Sequence, residues 1–501
     1  MKKLLLLLTL LLTFLGCGEK KDSAQSEKTI IVAQAGNPKS LDPEMYNEIP
    51  GLFIDKQIFD TLLTVDDNKN IVPELAEKYE YLNEQELKIT LKKGIKFHNG
   101  EELKATDVVF SINRMKEKPG SKVMVDDISK VETIDDYTVV LKLKKPSAAL
   151  LFALAHPLTS ILNEKDVISK NDEISNAPIG TGAFKFVTWE NRDKIELAAN
   201  KDYFKGKSKI DNLIFVSIPE GSSRLIALET GEVDIAVGMA AVDNQGIKSN
   251  SNLTLISEPT SSTENLTLNT RNNKLSSREV RQAINYAINK QSIIDAIFAG
   301  TGKVANTMVN PQVFGSYQDV KNYDYNPEKA KELLKSVGQD KGLKLKLWVN
   351  DNVTRTQTAQ IIQSNLKEVG VDVDIEVLEW STYLQKSANG EHEMLLGGWV
   401  SGTLDADIVL FPLFHSSSLG GAGNRAFYVN PEVDKFIEEG RTALTLDERK
   451  EAYKKAQIIL STDLPMIPLF YKNENIGISK KVKNFKYNPT TMHSLYNLDK
   501  E

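Results

Sequence analysis

Cys17 is the only cysteine among 501 residues, and that sets the terms on which the chain can fold. One thiol cannot make an internal disulfide, so a stable structure must rest on buried apolar surface. Length favours this, because the fraction of surface buried on folding rises with chain size. The chain is also too long for one core. About 485 residues from Cys17 onward predict two or three packed lobes.

The position of the cysteine carries a second constraint. Lys2 and Lys3 precede the apolar run Leu4 to Leu15, small Gly16 follows, and the sequence turns polar directly after Cys17. A charged start, a short apolar stretch and a small residue before the cut describe an export signal, and the run is too short to span a bilayer comfortably. Phe14-Leu15-Gly16-Cys17 resembles a bacterial lipobox, with Phe14 in place of the usual leucine. Residues 1–17 therefore read as a lipoprotein signal peptide ending at Cys17, the lipidated residue. The plain alternatives are an ordinary signal peptide that happens to contain a cysteine, or an uncleaved anchor. Several acyl chains would hold the protein stably, since each buried methylene contributes about 0.8 kcal/mol and a single chain is marginal. The expected location is the periplasm with two membranes, or the cell surface with one. No later segment is long and apolar enough to cross a membrane.

Charge narrows the partners. The whole chain has 62 basic and 68 acidic residues; losing Lys2 and Lys3 leaves 60 against 68, a net charge of −8. Mild acidity with mixed signs argues against nucleic acid, which wants a basic face.

Residues 18–28 (GEKKDSAQSEK) lack large apolar groups and predict a flexible tether. Thr29 to Ala35 is a β-rich run, broken by the turn residues Asn37 to Pro43. Leu87 to Leu91 and Tyr137 to Leu143 alternate as half-buried strands do. Ala105 to Met115 predicts a helix capped by Thr106 or Asp107, and Ser277 to Ile294 a longer one. Pro327 opens a helix ending at Gly338. Thr356 to Val369 predicts another, stopped by Gly370 before the strand Val371 to Val377. No internal repeat interrupts this mixed α/β pattern.

Several phrases then fall into a familiar order: Ser40-Leu41-Asp42-Pro43, Ile58 to Leu62 (IFDTL), Pro73 to Ala76 (PELA), Gly94 to Phe110, Pro178 to Phe184 (PIGTGAF), Glu229 to Asp234 (ETGEVD), Val280 to Lys290, and Gly398-Trp399 with Asp405-Ala406-Asp407. Together they resemble extracellular solute-binding protein family 5, the receptors of dipeptide, oligopeptide, glutathione and nickel importers. The resemblance implies an α/β, two-lobed periplasmic-binding-protein-like fold of cluster C with an extra subdomain in the first lobe. It suggests lobe one over 29–264 and 473–501, the subdomain over about 51–176, and lobe two over 265–472. The short β-like segments Asn265 to Asn269 and Ile467 to Tyr471 would be the hinges, since closure needs only a few residues to absorb the dihedral change.

A receptor for free peptides must satisfy a buried amine and a buried carboxylate, because an unpaired enclosed charge costs several kcal/mol. Dipeptide-binding relatives meet the amine with an aspartate at the position that is Gly402 here, so that role does not carry over. Asp405 and Asp407 match the later Asp-Pro-Asp pattern, with Ala406 for proline, and either could supply a carboxylate, although the pair is often structural in the family. On this reading Asp405→Ala would weaken peptide binding about tenfold or more without unfolding. Arg355 lies near where relatives place a carboxylate-binding arginine, and a guanidinium suits a planar carboxylate. Arg425, in a Gly-rich loop, is the second candidate. Each has a plain alternative as a surface arginine. Trp399 is the leading cleft residue, against a core role. Trp380 and Tyr383 resemble a cleft-edge segment, and Asn269 stands where the backbone of a crossing strand could pair with a peptide. The stretch Trp399 to Phe414 with Phe427 to Asn430 looks closer to glutathione-binding members.

His98, His156, His392, His415 and His493 show no metal-ligand spacing. There is no nucleophile elbow, phosphate loop or paired-histidine protease motif. The expected protein is therefore not an enzyme and holds no cofactor or metal: a monomeric, lipid-anchored binding protein that passes a small peptide to the permease subunits of an ABC importer. Nickel-chelate or haem binding by the same fold, and a surface adhesin or peptide-signal receptor without transport, are the alternatives.

Overall fold

The computed structural model describes residues 27–501 except Arg192, Lys341 and Ala422. The signal, Cys17 and most of the tether lie outside the described residues. No described helix is long and apolar enough to cross a membrane.

The elements follow the sequence pattern closely, with two instructive differences. The helix Ala105–Met115 is preceded by Lys104 as its N-cap, and Asp107 sits one turn inside, its carboxylate accepting the Lys104 N–H at 2.9 Å. The reach-back half of a capping box thus outweighs Thr106 or Asp107 as the cap itself. The long helix expected from Ser277 divides into Arg278–Ala287 and Lys290–Phe298. Ile288 is extended and buried, and the Asn289 side chain accepts the Ser292 N–H at 3.0 Å, so an asparagine competing as a cap ends one helix and begins the next.

Most strands join one mixed sheet. Its order runs 371–378, 343–350, 394–400, 253–268, 466–479, 235–236, 29–34, 212–217, 194–199 and 184–190. The two central strands, Leu253–Leu268 and Met466–Ser479, are long and antiparallel, pairing from Leu253 with Ser479 to Thr267 with Met466. One end of this pair is flanked by Ile235–Ala236, the other by Met394–Val400. Two sheet halves thus share a pair of strands, and each half buries its own core: Val32, Phe53, Leu213 and Ile476 on one side, Leu266, Leu347, Ile362 and Ile467 on the other. The pairing breaks between Pro259 and Thr263. A second shift falls between Glu264 and Asn265, so the ladder is irregular up to the start of the segment Asn265 to Asn269 expected as a hinge.

A four-stranded antiparallel sheet, ordered 76–83, 86–91, 138–143, 128–135, forms the subdomain. Leu87, Ile89 and Leu91 alternate inward to meet Val139, Leu141 and Leu143 over the helix Ala105–Met115. The subdomain reaches the second half of the chain through Phe152, whose ring centroid lies 5.3 Å from that of Phe314, and through Ala148 N–H, which donates to Arg441 O at 3.0 Å. Phe152→Ala removes an aromatic contact between the lobes, and we expect a larger radius of gyration by small-angle scattering in the ligand-free protein.

Candidate functional site

Residues from both lobes meet around a small cavity beside the break in the crossing strands. One wall brings Lys56 from the end of the helix Ile49–Ile58, Thr64 and His156; the facing wall is Gly402, Thr403 and Leu404, just beyond the strand Met394–Val400. Its volume is about 50 Å³, room for about four waters and far below the several hundred Å³ of ligand pockets. A whole peptide would enter only with the lobes further apart. The polar groups are set before that. His156 is buried, and its Nδ1 accepts the Leu158 N–H at 3.2 Å. Burial, reinforced by the nearby Lys56 charge, pushes its pKa down to about 4.

The sign of that shift gives a test. A histidine held neutral in the fold destabilises it as pH falls, because the unfolded chain protonates near 6.5 and the native one only near 4. His156→Gln is expected to flatten the pH dependence of stability between those values by up to about 1.4 kcal/mol per pH unit relative to the parent protein. Urea titrations of both across that range read it.

A second pocket, of about 200 Å³, lies wholly in the second half of the chain. Glu264, Arg355 and Lys472 line it, with Phe298 and Phe470 beneath. Arg355 begins the helix Val353–Glu368; its Nε stands 3.5 Å from Glu264, and Nη1 donates to Asn350 at 3.0 Å. An acid and a guanidinium facing each other can receive the two ends of a zwitterion.

The other expected residues separate into groups. Trp380, about half exposed, stacks on buried Tyr383 with centroids 5.7 Å apart, and the Tyr383 hydroxyl donates to Leu396 O at 3.0 Å. Arg425 acts electrostatically on Tyr383 and donates from Nε to Gly421 O at 3.1 Å; burial lowers its pKa. Trp399 is half-buried against a core, its indole N–H donating to Ile408 O at 2.8 Å. Asn269 spends its side-chain amide on Gly390 O and His392 O, closing a turn.

Asp405 and Asp407 are engaged within the protein. Asp405 is fully enclosed and grips Arg449, Nη1 to Oδ2 at 2.7 Å and Nη2 to Oδ1 at 2.9 Å. Asp407 pairs with Arg441 at 2.9 Å, and burial lifts its carboxyl to about 6 against the pull of that arginine. The reading of Asp405 as a ligand anchor is corrected on that ground: its oxygens already answer a buried cation. Lys56, His156, Glu264, Arg441 and Arg449 are the residues sequence reasoning missed. Nothing local marks them; only the Gly402 departure falls on the cavity between the lobes.

Two α/β lobes sharing a pair of strands around an enclosed cavity define a two-lobed binding protein. Residues 70–421 match the bacterial extracellular solute-binding proteins, family 5 Middle, and the chain belongs to that family. It is 29% identical over 511 residues to the dipeptide-binding protein of Escherichia coli (strain K12), covering 95% of each chain. The structure of HbpA2 from Haemophilus parasuis superposes with a TM-score of 0.87 at 27% identity, over 94% of this chain and 100% of the other. The periplasmic binding protein DppA from Helicobacter pylori, solved with the peptide STSA, gives 0.79 at 29%, over 94% and 98%.

Proposed function

We propose that this protein is the substrate-binding component of an ABC importer, enclosing small peptides, from di- and oligopeptides to glutathione, between its lobes and handing them to a membrane permease. It works as a monomer and catalyses nothing. The observation that carries this reading is the cavity walled by both lobes at the break in their shared strands. The names of the Escherichia coli relative and of the peptide-bound Helicobacter pylori structure point to the same ligand class. In this reading lobe one comprises 29–264 and 473–501, with its subdomain at 51–176, and lobe two 265–472. Trp399, Trp380 and Tyr383 offer aromatic faces, Arg355 and Arg425 basic groups. Cys17 carries the lipid that keeps the protein at the membrane, in the periplasm or at the cell surface.

Micromolar capture requires about −8 kcal/mol, within reach of a few enclosed charge contacts and aromatic faces. Native mass spectrometry of the full chain, before and after mild denaturation, tests it. Released peptides or glutathione support the reading. A metal chelate or haem would redirect it to those ligands; no ligand, with no thermal shift from a peptide library, would leave a role without transport.

A further inference from the structure

The cavity between the lobes is chemically one-sided. None of its lining residues is acidic, and a half-buried lysine sits in it. Among the described residues, Lys56 Nζ has no hydrogen-bonded or ion-paired partner. The carboxyl on which its charge acts, Asp60, is occupied by the Thr181 hydroxyl at 2.8 Å and the Tyr203 hydroxyl at 3.1 Å, outside the lining. Asp405, one residue beyond the lining residue Leu404, faces Arg449. A half-buried cation whose nearby acid, Asp60, is already engaged by two hydroxyls has its donors free for an anion in the cavity.

His156 adds direction. Because Nδ1 accepts from Leu158, the proton of the neutral ring sits on Nε2. That atom lies 3.1 Å from where a Cβ at Gly402 would stand. Gly402 thus packs closely against the His156 ring, and the cavity beside them is lined by that ring and by the Lys56 side chain. The cavity's size, about 50 Å³, suits one small polar group.

We infer that this cavity receives a carboxylate of the bound peptide, held from lobe one by Lys56 Nζ and His156 Nε2–H beside Gly402, and that the peptide's ammonium is not anchored there. The carboxylate comes from the C-terminus or from an acidic side chain. This rests on the peptide-binding reading.

Calorimetry on the full chain in detergent at pH 7.5 tests it with Ala-Ala, N-acetyl-Ala-Ala, Ala-Ala-amide, Ala-Glu-amide and glutathione. Blocking the amine is expected to change affinity by less than about threefold. Removing every carboxylate, as in Ala-Ala-amide, is expected to weaken binding at least about tenfold. Ala-Glu-amide then separates the sources: retained binding assigns an acidic side chain, lost binding the C-terminus. Lys56→Met is expected to lose about tenfold with an unchanged melting temperature, and Lys56→Arg to keep most of the affinity. Gly402→Asp, which sets a carboxylate against His156, is expected to weaken N-acetyl-Ala-Ala more than Ala-Ala. Parent-like affinity in Lys56→Met, or loss on N-acetylation with indifference to amidation, overturns the inference and leaves peptide binding intact. Failure of the parent protein to bind any of the five overturns both.

Discussion

Asp405→Ala is expected to cost about 3–5 kcal/mol of stability, because it strands a charge in the interior. The Arg449 side chain is 1% exposed and boxed by the rings of Phe314, Tyr453 and Phe152, at 5.1, 5.4 and 5.7 Å from its guanidinium carbon. Its other partners, Gly440 O and the Tyr453 hydroxyl, are neutral. Removing the carboxylate leaves the cation with hydrogen bonds but no ion-paired partner, since Asp407, on which its charge also acts, is paired with Arg441. The double variant Asp405→Leu/Arg449→Met removes both charges and is expected to recover most of the loss, since a buried pair contributes little over an apolar replacement. Urea denaturation of the parent and the two variants measures this. A loss below about 1 kcal/mol in the single variant would mean that the pair is not buried as described. The sequence reading anticipated a binding defect without unfolding; the buried arginine reverses that order.

Gly182→Ala is the second large effect, an expected loss of about 3 kcal/mol or more. A Cβ there would stand 2.5 Å from Gln57 O and 2.5 Å from the Ile58 carbonyl carbon, while the Gly182 N–H donates to Ile58 O at 2.8 Å. The obstacle is backbone, which cannot rotate aside. A Cβ at Gly180 would stand closer still, 2.1 Å from Ile58 O. Together these glycines let the loop lie against the C-terminal turn of the helix Ile49–Ile58. Lys56 is in that turn, so the damage should reach the cavity as well. Hydrogen exchange is expected to show faster exchange of the Phe53 to Phe59 amides. Parent-like exchange and stability would show that the loop can shift at little cost.

These residues explain what was legible in the sequence. The phrases that announced the family are largely joints of the fold. Asp42 of the first phrase grips Arg114 on the helix Ala105–Met115, at 2.5 and 3.1 Å. Asp60 of the second binds Thr181 of the fifth. His98 accepts from the Gly180 N–H at 3.3 Å and contacts Gly182 O at 3.0 Å. Asp234 accepts from the Ile31 N–H and from Lys500. Such contacts need fixed residue types at fixed places, so they leave a pattern that reads without coordinates. The cavity leaves none. Lys56, His156 and Gly402 come from three distant segments and share no spacing, and a glycine is recognisable there only as a departure from relatives. Asp405 shows the reverse error: a motif acid looked like an anchor because its partner, Arg449, lies far along the chain.

The strands Leu253–Leu268 and Met466–Ser479 have a consequence for how the molecule comes apart. Neither lobe owns a complete sheet, because each borrows the same two strands through the ladder that joins Leu253 to Ser479 and Thr267 to Met466. Melting one lobe strips the edge partners of the other. Heat should therefore unfold the protein in a single calorimetric transition despite its size, and a ligand gripped at the break should raise the midpoint of the whole molecule. For the same reason, neither half should be obtainable as a separately expressed piece: bending and cooperative melting are two properties of one pair of strands.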